Sequence, residues 1–430
     1  MQFVVLAGGL GSRAQEVCPK VLRKIGDQTL LERYLVEIAN TKLPDKDSSI
    51  LFLLGHKSKE IIEALNEKPP FSTNTKVFVE EKRLGTYGAL FQARDLLEKE
   101  FVLILGDLYF QFDFTKFIEY SRARKARMVF VVHPNGHSFD SDVAKLDPLT
   151  NKILDVKLKK DDSKEVYSVL SLAGIHYFKD IGKLFDYSVD TPTDLIEFMT
   201  QRYPDWFHDS YGYVTSEFIK DAGTPERVNE IVQAISNKSI LRRSNLSPKS
   251  VIFIDRDDTL IPDVNSEHVI KKSISEEVSK CNLFGVPIFV ISNQPSVAKG
   301  VETLSEVQIK NYNIDRQLES CKAFFDAWYW CPHHPDKNFI EETRAFKVKC
   351  ECRKPSPGLL MFAARDHSIE LDSSYMIGDS DNDFFASTSV GVTFLHTREF
   401  VPCNFQMRHN CFEKTSEAIS FARNEILRKC

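Results

Sequence analysis

The run Val251-Ile-Phe-Ile254, which empties into Asp255, Asp257 and Thr259, constrains the fold of this chain more than any other stretch. Consecutive apolar residues without polar alternation fit a strand buried on both faces, as in parallel sheets covered by helices. Acids just past the C-terminal end of such a strand stand where open α/β sheets bind ligands. Two carboxylates one residue apart on extended backbone point to the same side. One can then attack an electrophile while the other moves a proton. Taken alone, the stretch is better explained as an acidic loop after a strand, but the pattern recurs. Apolar runs also lead into Gly8-Gly9, Gly106-Asp107, Ser292-Asn293 and Gly378-Asp379. An α/β fold with several strand-end sites is the expectation.

At 430 residues the chain exceeds the ~250–300 at which single cores stop growing, so two or three domains are expected. The polar, basic stretch from Ser236 to Ser250 marks the junction, which divides the chain into a domain at 1–238, a linker at 239–249 and a domain at 250–430. A net charge of -5 argues against a nucleic-acid-binding surface. No apolar run approaches the ~18–20 residues of a spanning helix, and the opening Met1–Leu6 carries no basic region. A cytoplasmic chain without membrane partners is the expectation. Of nine Cys, three crowd between Cys331 and Cys352, which suits a metal site in a reducing compartment better than a disulfide framework.

In the first half, Gly8-Gly9-Leu-Gly11-Ser12-Arg13 follows the opening strand, and Pro19-Lys20 comes shortly after. Glycines let backbone N–H groups approach a polyphosphate, and Arg13 and Lys20 offer mobile positive charge to the same anion. With these residues at this spacing, the segment resembles the sugar-1-phosphate nucleotidyltransferase family. Leu84-Gly85-Thr86-Tyr-Gly88 is similar to that family's loop for base and sugar, Gly106-Asp107 to its metal-binding strand end, Gly174 to its sugar-contacting strand, and Asp221-Ala-Gly-Thr-Pro-Glu226 to the segment with its second metal ligand. The resemblance implies a Rossmann-like, GT-A-like domain, Mg²⁺ held by Asp107 and Asp221, and a sugar 1-phosphate attacking the α-phosphorus of a nucleoside triphosphate. Two departures stand out: Leu108 follows the metal-binding Asp, and the usual Phe-x-Glu-Lys segment lacks its Glu around Ile153–Lys160.

In the second half, Asp255 and Asp257, then Ser292, Lys354 and Gly378-Asp379 occur in the order of the haloacid dehalogenase (HAD) phosphatase superfamily, which the domain resembles. The resemblance implies a HAD-like Rossmannoid fold, Asp255 as nucleophile and Asp257 as general acid and base. It also implies Ser292 and Lys354 on the phosphoryl oxygens, and Mg²⁺ at Asp255, the Asp257 carbonyl and Asp379. Asp383 is expected to support the loop rather than bind metal. Asp258 stands where Gly is usual, a place Asp tolerates because it accepts turn conformations. Between these motifs, Cys331, His333, Cys350 and Cys352 give the Cys₃His donor set of a closed structural Zn²⁺ site. Short gaps leave no room for a large cap domain.

The zinc loop, with Asn293-Gln294-Pro-Ser-Val-Ala-Lys-Gly300, is similar to heptose 1,7-bisphosphate 7-phosphatases and to their relatives the histidinol-phosphate phosphatases. Asn293 and Arg353 are expected to contact substrate. The two resemblances together imply a bifunctional enzyme that removes the 7-phosphate and joins the remaining heptose 1-phosphate to a nucleotide, GTP foremost, with only small-molecule partners. Two alternatives stay open. One is a histidinol-phosphate or other sugar-phosphate phosphatase beside a different transferase. The other is a phosphatase with a non-catalytic nucleotide- or sugar-sensing first domain.

Overall fold

The computed structural model describes residues 1–9, 18–43, 48–67, 74–136, 140–161, 168–262, 269–336, 342–401 and 410–429. They divide into two compact units. One comprises Met1–Val132, Asp142–Asp161 and Leu172–Asn237, the other His133–Ser141, Asp162–Ser171 and Lys238–Cys430.

The larger sheet is built from the N-terminal half of the chain and has nine strands. Its centre is Gln2–Ala7, paired in parallel with Ser49–Leu54 on one side and Glu100–Leu105 on the other. Phe3, Val4, Val5 and Val102, Leu103, Ile104 are fully buried, which accounts for the unbroken apolar runs. The chain runs outward from the first strand through Ser49–Leu54 to Asn74–Val79, then returns to the opposite side with Glu100–Leu105. That reversal opens a crevice at the strand ends, where Gly8 and Asp107 lie. The helix Leu30–Ala39 starts at a Thr29–Glu32 capping box and buries Leu30, Leu31, Tyr34, Leu35 and Ile38. Tyr34 donates its hydroxyl to the Leu108 carbonyl at 2.7 Å, which fixes the backbone beside Asp107.

The second sheet has the order Ala327–Cys331, Ile288–Asn293, Ile252–Ile254, Tyr375–Gly378, Thr393–Thr397, Cys411–Phe412, and every pairing is parallel. Ile252, Ile254, Ile288, Val290, Ile377 and Leu395 form its core with Ala418, Ile419 and Ala422 of the helix Thr415–Lys429. Each buried Ile, Val or Leu side chain contributes roughly 1.5–3 kcal/mol by leaving water. Ile252–Ile254 is the switch point between Ile288–Asn293 and Tyr375–Gly378, so Asp255, Ser292 and Asp379 converge at one edge. Between Asp257 and Ser292 the described residues form one helix, Lys272–Phe284, consistent with the expected lack of a large cap.

Residues 239–249, expected as a linker, are built into the second unit. Ser239–Arg243 is helical, and the Arg243 guanidinium meets the fully buried Asp326 at 2.5 Å. Lys249 donates to the Arg243 carbonyl at 2.8 Å and to Asn245 at 2.5 Å. A basic run reads the same in sequence whether water or a buried acid neutralises it. Here the distant Asp326 does. Among the described residues, no helix is long and apolar enough to cross a membrane.

Candidate active sites

Asp255 leaves the strand Ile252–Ile254 almost fully buried, and its Oδ1 lies 2.7 Å from Lys354 Nζ. The same ammonium meets Asp383 Oδ1 at 2.5 Å and the Ile291 carbonyl at 2.9 Å, so one buried cation sits between two acids. Burial, reinforced by Asp383 and Asp257 and opposed by Lys354, pushes the Asp255 carboxyl well above its usual range. Burial and the neighbouring Asp383 likewise raise Asp379 to about 6. Asp255, Asp379 and Asp383 each bring a carboxylate oxygen within 4.8 Å of the others. Oxygen donors of like charge held this close fit a hard divalent cation, which would relieve their repulsion. The carboxylate of Asp257 is not a member of this cluster. Asp383, expected to support the loop rather than bind metal, turns its two oxygens different ways. It joins the cluster, and its second oxygen accepts from the Ser380 amide and hydroxyl at 3.3 and 2.6 Å, capping the helix Asp381–Thr388.

Asp257 instead accepts from Arg256 Nε at 2.9 Å and from Gln294 Nε2 at 2.7 Å. Asp258 adopts φ 54°, the left-handed turn its side chain was expected to tolerate. Ser292 is buried beside this group, its Oγ 2.6 Å from Gln294 Nε2. Asn293, expected on substrate, spends its amide on the backbone of residue 354. Its Nδ2 donates to the Lys354 carbonyl and its Oδ1 accepts from the Lys354 amide, both at 3.0 Å. It therefore positions the lysine.

Cys331 ends the strand Ala327–Cys331, and a loop brings His333, Cys350 and Cys352 to it. The sulfur–sulfur distances are 3.2 to 3.5 Å, and His333 Nδ1 lies 3.5 Å from Cys331 and 3.3 Å from Cys352. A tetrahedron with ~2.3 Å metal–sulfur bonds has edges of ~3.7 Å, so these four donors fit Zn²⁺ with a slight expansion. Arg353 follows the last thiol, and its guanidinium reaches the His333 carbonyl at 3.4 Å, tying the residue before Lys354 to the same loop.

In the first unit a cavity of about 390 Å³ is lined by Gly8, Gly9, Lys20, Gly85, Thr86 and Asp107, with Glu80 and Arg83 on its wall. A Cβ at Gly8 would meet the Glu80 carboxylate at 2.1 Å and displace it from this position, whereas Gly9 faces open space. Gly85 opens the helix Gly85–Gln92 at φ 77°, where a Cβ would strike the Thr193 carbonyl at 2.4 Å. Lys20 Nζ contacts Asp107 Oδ2 at 2.9 Å. Asp221 pairs in register with Leu108, beside Asp107, and the Arg227 guanidinium meets both its oxygens at 2.6 Å. Asp221 thus ends its strand where the antiparallel Leu108–Gln111 begins, directly after Asp107, so the two acids lie at one end of that pair. Thr86 holds Asp194 at 3.0 Å and the Leu195 amide at 2.7 Å, so its hydroxyl is already engaged. Gly174 is not a lining residue. At φ 76° its missing Cβ leaves room for Leu105 and Leu108, so packing accounts for it. Gly11, Ser12 and Arg13 lie outside the described residues.

The nucleotidyl transferase family model matches residues 2–141, and the HAD-hydrolase-like model matches residues 351–399. The chain is 33% identical over 142 residues to the D-glycero-beta-D-manno-heptose-1,7-bisphosphate 7-phosphatase of Photorhabdus laumondii, covering 32% of this chain and 73% of that protein. It belongs to that phosphatase family. The Escherichia coli K12 phosphatase of the same name is also 33% identical, over 147 residues, covering 33% of this chain and 74% of that protein. Among solved structures, HddC from Yersinia pseudotuberculosis is 22% identical, with 54% of this chain and 99% of that chain covered at a TM-score of 0.44. The chain joins a nucleotidyltransferase domain to a HAD phosphatase domain.

Within this member of the phosphatase family, Arg256 and Glu80 escaped sequence reasoning, Gln294 reads only as part of a motif, and Asp383 only as a support of its loop. Asp383 carried a visible signal, since it stands four residues after Asp379 on the first turn of a helix. Gln294 within its motif and Arg256 beside one are polar residues whose contacts leave no sign in the sequence. Glu80 lies in no motif and reaches its cavity only because Asn74–Val79 pairs with Ser49–Leu54.

Proposed function

We propose that the chain hydrolyses the 7-phosphate of D-glycero-D-manno-heptose 1,7-bisphosphate in residues 250–430 and transfers GMP from GTP to the resulting heptose 1-phosphate in residues 1–238. The observation that carries the phosphatase reading is the buried Asp255–Lys354–Asp383 array with Asp257 beside it, in a chain of the heptose-bisphosphate phosphatase family. Asp255 attacks phosphorus, and the P–O bond to the sugar breaks as the leaving oxygen takes a proton from Asp257. Water then attacks the aspartyl-phosphate, Asp257 takes the water's proton, and the bond to Asp255 breaks. Lys354 and Ser292 hold the phosphoryl oxygens through both steps. Mg²⁺ at Asp255 and Asp379 would supply the positive charge that lets an anionic nucleophile meet a phosphate dianion. Zn²⁺ at Cys331, His333, Cys350 and Cys352 would hold the loop that presents Arg353 and Lys354. Thiolate ligands and a nucleoside triphosphate substrate both fit the reducing cytoplasm.

In the first unit the phosphates would lie against Gly8, Gly9 and Lys20, with Mg²⁺ held by Asp107 and Asp221. Glu80 favours guanine. A carboxylate on the cavity wall offers two acceptors, which match the adjacent N1–H and N2–H donors of guanine; adenine presents an acceptor at N1. Burial raises the Glu80 carboxyl, against the pull of Arg83 and the Leu84 amide.

The test supplies heptose 1,7-bisphosphate, Mg²⁺ and each nucleoside triphosphate in turn. Phosphate release followed by GTP-dependent pyrophosphate release is expected. Asp107→Ala should abolish the pyrophosphate and leave the phosphate, and Glu80→Gln should lower kcat/KM for GTP about 10–100-fold, as for one bidentate base contact. Pyrophosphate release that survives Asp107→Ala would overturn the transferase reading. Faster hydrolysis of histidinol phosphate than of the bisphosphate would overturn the phosphatase substrate.

A further inference from the structure

Resting on the phosphatase reading above, we infer that Arg256, Gln294 and Asn311 form a positioning frame that orients the Asp257 carboxylate as proton donor to the leaving sugar oxygen. Arg256 lies between nucleophile and acid in sequence, yet it is 5% exposed and its guanidinium turns back onto its neighbour. Each of its three nitrogens has a different acceptor. Nε donates to Asp257 Oδ1 at 2.9 Å, one terminal nitrogen to Asn311 Oδ1 at 3.0 Å, and the other to Gln294 Oε1 at 2.6 Å. Three acceptors on three edges fix the plane of the guanidinium, which a single ion pair does not do.

Gln294 is equally constrained. Its oxygen is taken by Arg256, which forces its Nε2 toward Asp257 Oδ2 at 2.7 Å and Ser292 Oγ at 2.6 Å. Both oxygens of Asp257 are therefore held, one by each arm of the frame, and rotation of the carboxylate breaks at least one bond. The same amide links Asp257 to Ser292, so the proton donor and a phosphoryl ligand keep a fixed spacing. Asn311 anchors the frame from the helix Leu304–Leu318, where it is 1% exposed. None of the three lies in the carboxylate cluster of Asp255, Asp379 and Asp383. The arm through Arg256 therefore falls on proton transfer and not on the attack at phosphorus, whereas Gln294 also touches the phosphoryl ligand Ser292.

This separation makes the inference testable through the leaving group. A sugar alkoxide needs a proton as it departs, whereas p-nitrophenolate departs without one. Arg256→Lys keeps the charge and loses the fork, and Gln294→Met keeps the volume and loses all three bonds, to Arg256, Asp257 and Ser292. In each variant, kcat for heptose 1,7-bisphosphate should fall about 10–100-fold with KM within about 2-fold. In Arg256→Lys the p-nitrophenolate burst from p-nitrophenyl phosphate should change less than about 3-fold, with phosphoenzyme accumulating because water activation also needs Asp257. Binding of Mg²⁺ with beryllium trifluoride, which requires Asp255 but no proton donor, should keep its wild-type affinity. In Arg256→Lys, equal losses with both esters, or loss of beryllofluoride binding, would show that the frame merely holds the site together and would overturn the inference. If the wild-type chain cleaves neither ester, the phosphatase reading fails instead.

Discussion

Asp383→Asn tests whether the buried charges of the phosphatase unit stabilise it as a triad. Asp383 is fully buried, its Oδ1 2.5 Å from Lys354 Nζ and its Oδ2 on the Ser380 amide and hydroxyl. An amide has one oxygen, so Asn can satisfy Lys354 or the Ser380 amide but not both. Removing one partner of a buried pair costs about 3–5 kcal/mol. Lys354 keeps Asp255 at 2.7 Å, which places the expected loss toward the lower end, about 3 kcal/mol. For a unit of this size each kcal/mol moves Tm by about 2–4 °C, so the second unit's transition should fall by about 6–12 °C. Calorimetry without added Mg²⁺, so that a bound cation does not mask the charges, is the assay. Lys354→Met alone leaves two buried acids uncompensated and should cost at least as much. The double variant should fall short of the sum of the single losses by about 1–3 kcal/mol. Losses that add within about 0.5 kcal/mol would refute the coupling and reduce Asp383 to a helix cap.

Cys350→Ser should lower bound zinc, measured by elemental analysis, from one per chain to a small fraction, with kcat of the phosphatase reduced on the order of 10–100-fold as the Arg353–Lys354 segment loses its anchor. In the first unit, His176 is fully buried against Phe130, and burial lowers its pKa from 6.5 to about 3. The unfolded chain then binds a proton below pH 6.5 that the folded chain refuses, so stability falls as pH falls through that value, by about 2 kcal/mol at pH 5. Urea titration at pH 7.5 and 5 should show that loss in the wild type, and His176→Leu should remove it.

Strand-end chemistry was legible in the sequence because strand, turn and acid are local. Val251–Ile254 fixes a buried strand whatever lies around it, and Asp255, Asp379, Gly8 and Asp107 follow from their place after such strands. The donor set Cys331, His333, Cys350 and Cys352 was legible for another reason: few folds bring three thiols and an imidazole so close in sequence without a metal. Tertiary structure alone decided which polar neighbours serve those groups. Arg243 reads as part of a solvated linker until Asp326, from a different strand end, takes its charge. Asn293 reads as a substrate contact until the backbone of Lys354 arrives beside it. Asp257 reads as a general acid and base from its motif, but that Arg256 and Gln294 hold its two oxygens is decided by the fold. A hydrogen bond acts over about 3 Å between groups that can be dozens of residues apart, so its partner is set by the packing of the sheet and leaves no mark on spacing along the chain.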